Sequence, residues 1–148
     1  MPHNYVSAYG ANSITTSTVT VTAAAYAGQK LILDRAAGIV VTLPAATGSG
    51  NSYEFLVVTS VTSNSYKIQV ANSTDVMVGT AILFADGGDT VVGFATASTS
   101  DTLTMDGSTQ GGLLGARVVV TDAKSGVWHV TYVSDASSTE ASPFSAAV

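Results

Sequence analysis

The residues able to do chemistry are few and scattered. His3 and His129 are the only histidines in 148 residues, and cysteine is absent. Catalysis needs titratable groups gathered in one pocket. His129 alternates with Trp128 in a strand-like run, so the two face opposite sides of a sheet. It reads as an exposed or interface residue, not as a base or ligand. Counting alone leaves a Ser–His–Asp triad open, but Gly48-Ser49-Gly50 is followed by no helix. It lies between two β-branched runs, the wrong setting for a nucleophile elbow.

The carboxylates fall mainly in turns: Asp34, Asp86, Asp89, Asp101, Asp106 and Asp122. A short acceptor side chain there bonds nearby backbone N–H groups. Asp86 and Asp89 are close enough to share Ca²⁺, yet such a site needs about six to eight oxygens, and no known calcium-loop pattern surrounds them. Gly87-Gly88 and Gly111-Gly112 lack the Lys-Ser/Thr and the helix of a phosphate loop. Tyr53 and Tyr66, near Asn51 and Asn64, are a weak version of a sugar platform. The expectation is a protein with no catalytic residue, no cofactor and no metal: not an enzyme.

Composition narrows the class. Only 10% of residues are charged, against about 25% in ordinary usage. A small monomer usually carries more surface charge to stay soluble, so much of this surface is expected to be covered by copies of the chain or by a partner. The net charge is −5, and the five basic residues (Lys30, Arg35, Lys67, Arg117 and Lys124) stand one at a time. Nucleic-acid binding needs clustered cations, and none are clustered. No apolar run approaches the ~20 residues of a membrane helix. The start of the chain lacks the pattern of a signal peptide, so synthesis and assembly in a cytosol are expected.

The elements that must position these residues are short strands. Thr18 to Thr22 and Tyr66 to Val70 alternate strictly, the mark of half-buried strands. Gln29–Leu33, Gly38–Leu43, Tyr53–Thr59, Thr90–Ala95 and Asp101–Met105 read as further strands, and Ala23–Ala27 holds at most one helical turn. Asp75–Ala85 contains Gly79, which suggests a bulge or a bend between two short strands. Asp106-Gly107 suits a two-residue hairpin turn. Arg117–Thr121 and Val127–Val133, joined by Asp122–Gly126, form the clearest hairpin. These signals predict an all-β sandwich or barrel of about ten short, mostly antiparallel strands with extended terminal arms. The expected division is an N-terminal arm over 1–14, a β domain over 15–133 and a flexible tail over 134–148. No internal repeat is evident. Phe55, Phe94, Trp128 and Tyr132 are expected as core or oligomer anchors.

One segment is more specific. Leu31 to Phe55, with its Thr42-Leu-Pro-Ala-Ala-Thr-Gly-Ser-Gly50 loop, resembles a module of structural proteins in tailed bacteriophages. Met105 to Gly112, Ala116 to Val120 and Trp128 to Val130 resemble its second half. The likeness covers about residues 28–133 and departs at Ala116, where such modules carry an acidic residue. It implies a virion protein, a head decoration (cement) protein that binds the outer capsid as an oligomer, commonly a trimer, and stabilises the shell. Its partners would be itself and the major capsid protein, with no nucleic acid and no membrane. Its place would be the outer capsid surface, after synthesis in the host bacterial cytoplasm. The N-terminal arm, through Tyr5, Tyr9 and Asn12, would reach the coat. The alternative is a receptor- or carbohydrate-binding domain of a tail fibre or spike.

Overall fold

Short runs of Val, Ile, Leu and Thr put alternate side chains on two faces, and in most of these runs one face is apolar. Burying that face requires a second layer. The computed structural model describes residues 11–85 and 89–148. There the runs become β1 (Ala11–Ile14), β2 (Thr18–Thr20), the helical turn α1 (Ala23–Tyr26), β3 (Lys30–Leu33), β4 (Ile39–Thr42), β5 (Ser52–Val57) and β6 (Tyr66–Gln69). β7 (Val76–Ala85), β8 (Thr90–Ala95), β9 (Thr102–Met105), β10 (Arg117–Lys124), β11 (Val127–Ala136) and β12 (Phe144–Ser145) follow. Sheet one has seven strands in the order β1-β3-β5-β10-β11-β7-β8, and sheet two has five, β12-β9-β6-β4-β2. Leu31, Leu33, Phe55, Trp128 and Tyr132 from the first and Ile39, Val41, Tyr66, Ile68 and Leu103 from the second belong to one core. The all-β layered fold is as expected.

Strand direction is not. β1–β3, β3–β5, β2–β4, β4–β6 and β7–β11 pair in parallel. β5–β10, β10–β11, β7–β8, β6–β9 and β9–β12 pair antiparallel. The pairings divide evenly, so both sheets are mixed rather than mostly antiparallel. The cause is the route of the chain. From β1 to β6 each strand enters the opposite sheet from the one before, and the next strand in a sheet lies parallel beside its predecessor. Parallel neighbours need a crossover, and here a strand in the other layer provides it. The first half of the chain is therefore a three-coil winding, a repetition hidden in the sequence because the coils differ in length. Lys30 lies beside Ala11, and Glu54 beside Lys30.

Three further expectations are corrected. β7 is one unbroken ten-residue strand in continuous parallel register with β11. Gly79 marks close approach, not a bulge: a Cβ there would lie 1.8 Å from the Val130 carbonyl oxygen. Asp106-Gly107 does not close a tight hairpin, because the chain leaves β9 in sheet two for β10 in sheet one. Instead the Asp106 carboxylate accepts the amides of Ser108 and Gln110. Finally, the tail is tied in. β11 runs on to Ala136, β12 pairs with β9, and the amides of Ala147 and Val148 donate to the buried Asp101 carboxylate at 2.8 and 3.3 Å. At the other end, residues 11–14 of the proposed arm form β1, with Ile14 in the core.

Gly107 and Gly126 both have φ near +80°, but a Cβ on Gly107 would lie 2.0 Å from the Val61 carbonyl oxygen, whereas one on Gly126 meets nothing. Gly126→Ala is expected to cost about 1–2 kcal/mol of backbone strain. Gly107→Ala should cost clearly more, read as a larger drop in urea midpoint. Equal losses would mean that the turn at 107 relaxes freely.

Candidate functional site

The Pro44–Ser52 loop joins sheet two to sheet one, and its small residues let the backbone fold around two carboxylates. The Ala46 amide donates to Asp75 at 2.8 Å. The amides of Thr47, Gly48 and Ser49 donate to Asp122 at 3.1, 2.7 and 3.0 Å, joined by the Thr47 and Ser49 hydroxyls. Four consecutive amides thus end on buried acceptors. Burial would raise the Asp122 carboxyl, but the Ser49 hydroxyl and the Gly48, Ser49 and Thr47 amides together outweigh it and hold it at about 2, below the usual 3.8. Charge-assisted bonds of this kind are about twice as strong as neutral ones. A carboxylate so fully engaged is a clamp; its lone pairs are committed to the loop rather than to a substrate.

Next to the clamp lies a cleft of about 190 Å³ lined by Ala23, Thr47, Asn51, Tyr53, Asp122 and Trp128. Tyr53 and Trp128 are 1% and 0% exposed, with ring centroids 5.9 Å apart. Burial, and then Asp122, raise the Tyr53 phenol and keep it neutral. Tyr66 is buried too; its hydroxyl donates to the Thr59 carbonyl at 2.7 Å and accepts the Arg35 amide at 3.1 Å. Neither tyrosine presents a ring face to solvent, so the sugar platform expected at Tyr53 and Tyr66 is not formed. Phe55, Trp128 and Tyr132 sit in the core, and the Tyr132 hydroxyl donates to the Gln110 carbonyl at 3.0 Å. Phe94, on edge strand β8, is only partly buried. His129 is exposed and faces away from Trp128.

The outer face of sheet one is the open surface. Register aligns Ser13, Ile32, Leu56, Arg117, Val133, Ile82 and Gly93 in one row across all seven strands. Ala11, Lys30, Glu54, Val119, Thr131, Thr80 and Ala95 form the next row. None of these side chains is buried. Val58, Val78, Ile82, Val91 and Leu114 are exposed large apolar residues, Leu114 reaching 66%. The charged group on these rows is Glu54 between Lys30 and Arg117, the Arg117 Nε lying 2.6 Å from Glu54 Oε1. Exposed pairs contribute little stability, but this triad uses both nearby cations internally. The face is left nearly neutral.

Of the proposed coat-contacting residues, Tyr5 and Tyr9 lie outside the described residues. Asn12 is half-buried on β1, on the same side of the strand as Ile14. Asp86 of the calcium expectation also lies outside them. Among the described residues no group of three or more His, Asp or Glu is placed to hold a metal, and no helix is long and apolar enough to cross a membrane. Sequence reasoning missed the clamp, because Asp122 bonds residues about 75 positions away. It also missed the triad, which only the β3–β5–β10 register assembles. No protein-family model, no curated protein and no solved structure matches the chain.

The depressed Asp122 value makes the clamp pH-dependent. Its stabilisation is present above the unfolded value near 4 and is lost as pH falls from about 4 to about 2. The shift corresponds to about 2 kcal/mol. Asp122→Asn should therefore lose about that much stability at pH 7 and flatten the acid limb below pH 4, followed by urea unfolding at stepped pH. An acid limb identical to that of the parent chain would show that ionisation of Asp122 contributes nothing.

Proposed function

We propose that this protein is a capsid decoration protein of a tailed bacteriophage. It would associate with copies of itself and spread over coat subunits on the outer shell. The observation that carries this reading is the outer face of sheet one, seven strands wide, apolar in most of its large side chains and nearly neutral. Monomeric soluble proteins rarely leave a broad apolar patch exposed, and such patches mark sites of protein association. The likeness of residues 28–133 to phage structural modules and the low charge of the chain support the same reading.

The mechanism needs no reaction. A rigid sandwich, its loops clamped from within, presents a preformed surface, so little ordering entropy is lost when it docks. Several copies held together engage several coat subunits at once. Linked weak contacts then give tight binding through high effective concentration. A lattice bridged in this way resists expansion, because separating two coat subunits requires releasing a common clasp.

The test is to mix the purified protein with expanded capsids of its phage, image them and heat them. Ordered density at symmetry positions and a raised bursting temperature are expected. Val78→Glu/Leu114→Glu alters two exposed side chains, so folding should change by no more than about 0.5 kcal/mol per site, while capsid affinity should fall at least tenfold. Bare capsids at saturating protein would end the reading.

A further inference from the structure

The two edges of sheet one are unlike. One is β1, which follows directly on residues 1–10. The other is β8, Thr90-Val-Val-Gly-Phe-Ala95, paired on one side with β7. No residue of β8 is buried, and Val91 is 57% exposed. The strand has no Lys, no Pro and no charge. Natural sheets guard their edges with such residues, because an open row of N–H and C=O groups recruits another strand. Sheet one also has two strands more than sheet two, so β8 is covered only in part: Val92 and Phe94 are half-buried, while Thr90, Val91, Gly93 and Ala95 are exposed. A shallow apolar depression lined by Thr80, Ala81, Ile82, Gly93, Phe94 and Ala95 runs along the β7–β8 pair.

We infer that residues 1–10 of a second copy add to this edge as an eighth strand, joining neighbouring copies head to tail. The self-association in the proposed function is thereby given a structural form, and the inference rests on that part of the reading alone. The sequence of the segment suits the role. His3-Asn-Tyr-Val-Ser-Ala-Tyr9 has no Gly, Pro, Asp, Glu, Lys or Arg. In an extended chain Tyr5, Ser7 and Tyr9 fall on one side and Val6 and Ala8 on the other. Backbone pairing supplies affinity and the alternate side chains find the apolar depression, the mode of strand addition.

Reach decides whose segment it is. From β1 to β8 there are six inter-strand steps, about 29 Å at the usual spacing. Ten extended residues span at most about 36 Å. Residues 1–10 of the same copy would spend nearly all their length crossing the sheet and could not lie along β8. Those of a neighbour carry no such restriction. Donor and acceptor are different surfaces at opposite edges, so the contact is heterologous. Such contacts close into rings when the rotation permits.

The experiment uses two full-fold variants. One deletes residues 2–9 and keeps an intact β8. The other, Val91→Lys/Gly93→Lys, keeps the N-terminal segment and guards the edge. Both altered β8 positions are exposed, and circular dichroism with thermal melts confirms folding. By sedimentation, wild type should be oligomeric and each variant alone monomeric. Mixed, they should form a 1:1 heterodimer and nothing larger, because one donor and one acceptor remain. A synthetic peptide of residues 1–10 should bind the deletion variant and bind the Lys variant at least tenfold more weakly. A deletion variant that keeps the wild-type mass overturns the inference, as does a mixture that stays monomeric. A deletion variant that keeps its mass but loses capsid binding assigns the segment to the coat instead. All the solution arms run without capsids, so a failure to decorate particles would not be confused with a failure of strand addition.

Discussion

Two buried carboxylates hold this molecule together at the point where its layers connect. Asp75, just before β7, and Asp122, on β10, between them take four successive amides of the loop that carries the chain from sheet two to sheet one. A loop of Ala, Thr, Gly and Ser has no side chains large enough to anchor itself by packing. Buried carboxylates are costly without partners, and Asp75 and Asp122 are 6% and 2% exposed, so they must be given donors. Satisfying them fixes the span between β4 and β5 and, through it, the spacing of the two sheets. The Thr-Leu-Pro-Ala-Ala-Thr-Gly-Ser-Gly run, the most specific string in the sequence, is thus accounted for by architecture.

With the layers fixed, the winding determines the surface. Successive strands alternate between sheets, so the apolar inner rows stack coil upon coil, while the outward rows of sheet one form a continuous face. The number of strands does the rest. Seven strands over five leave β8 only partly covered, at the edge farthest from β1. The Lys30–Glu54–Arg117 group consumes the charges that would otherwise mark the face as solvent-seeking. What remains is a nearly neutral outer face whose β8 edge carries no Lys, Pro or charge.

Much of this was legible from the residues. Alternation located nearly every strand of the middle of the chain, since burial on one face imposes a period of two. The β10–β11 hairpin was clear because Ser125-Gly126 and the flanking valines leave no other reading. His129 turned outward because Trp128 had to turn in. Direction was not legible: a strand's pattern is the same whichever way its neighbour runs. β1 and β12 escaped notice because four and two residues give no period. The Asp122 clamp is invisible in the sequence because its partners are adjacent only after both sheets have formed, and Gly79 suggests a bulge or a bend although its missing side chain serves a close approach.

The three-coil winding also bears on how the chain acquires its form. Parallel pairing between distant residues has to meet the entropy of loop closure before any contact repays it, and topologies of that kind fold slowly. Two local antiparallel hairpins are present among the described residues, β7–β8 and β10–β11, and the second touches both halves, β5 on one flank and β7 on the other. A folding nucleus is expected there. The N-terminal coils would then be laid against a template made by residues synthesised after them, and a nascent chain would remain uncommitted until its last third emerged.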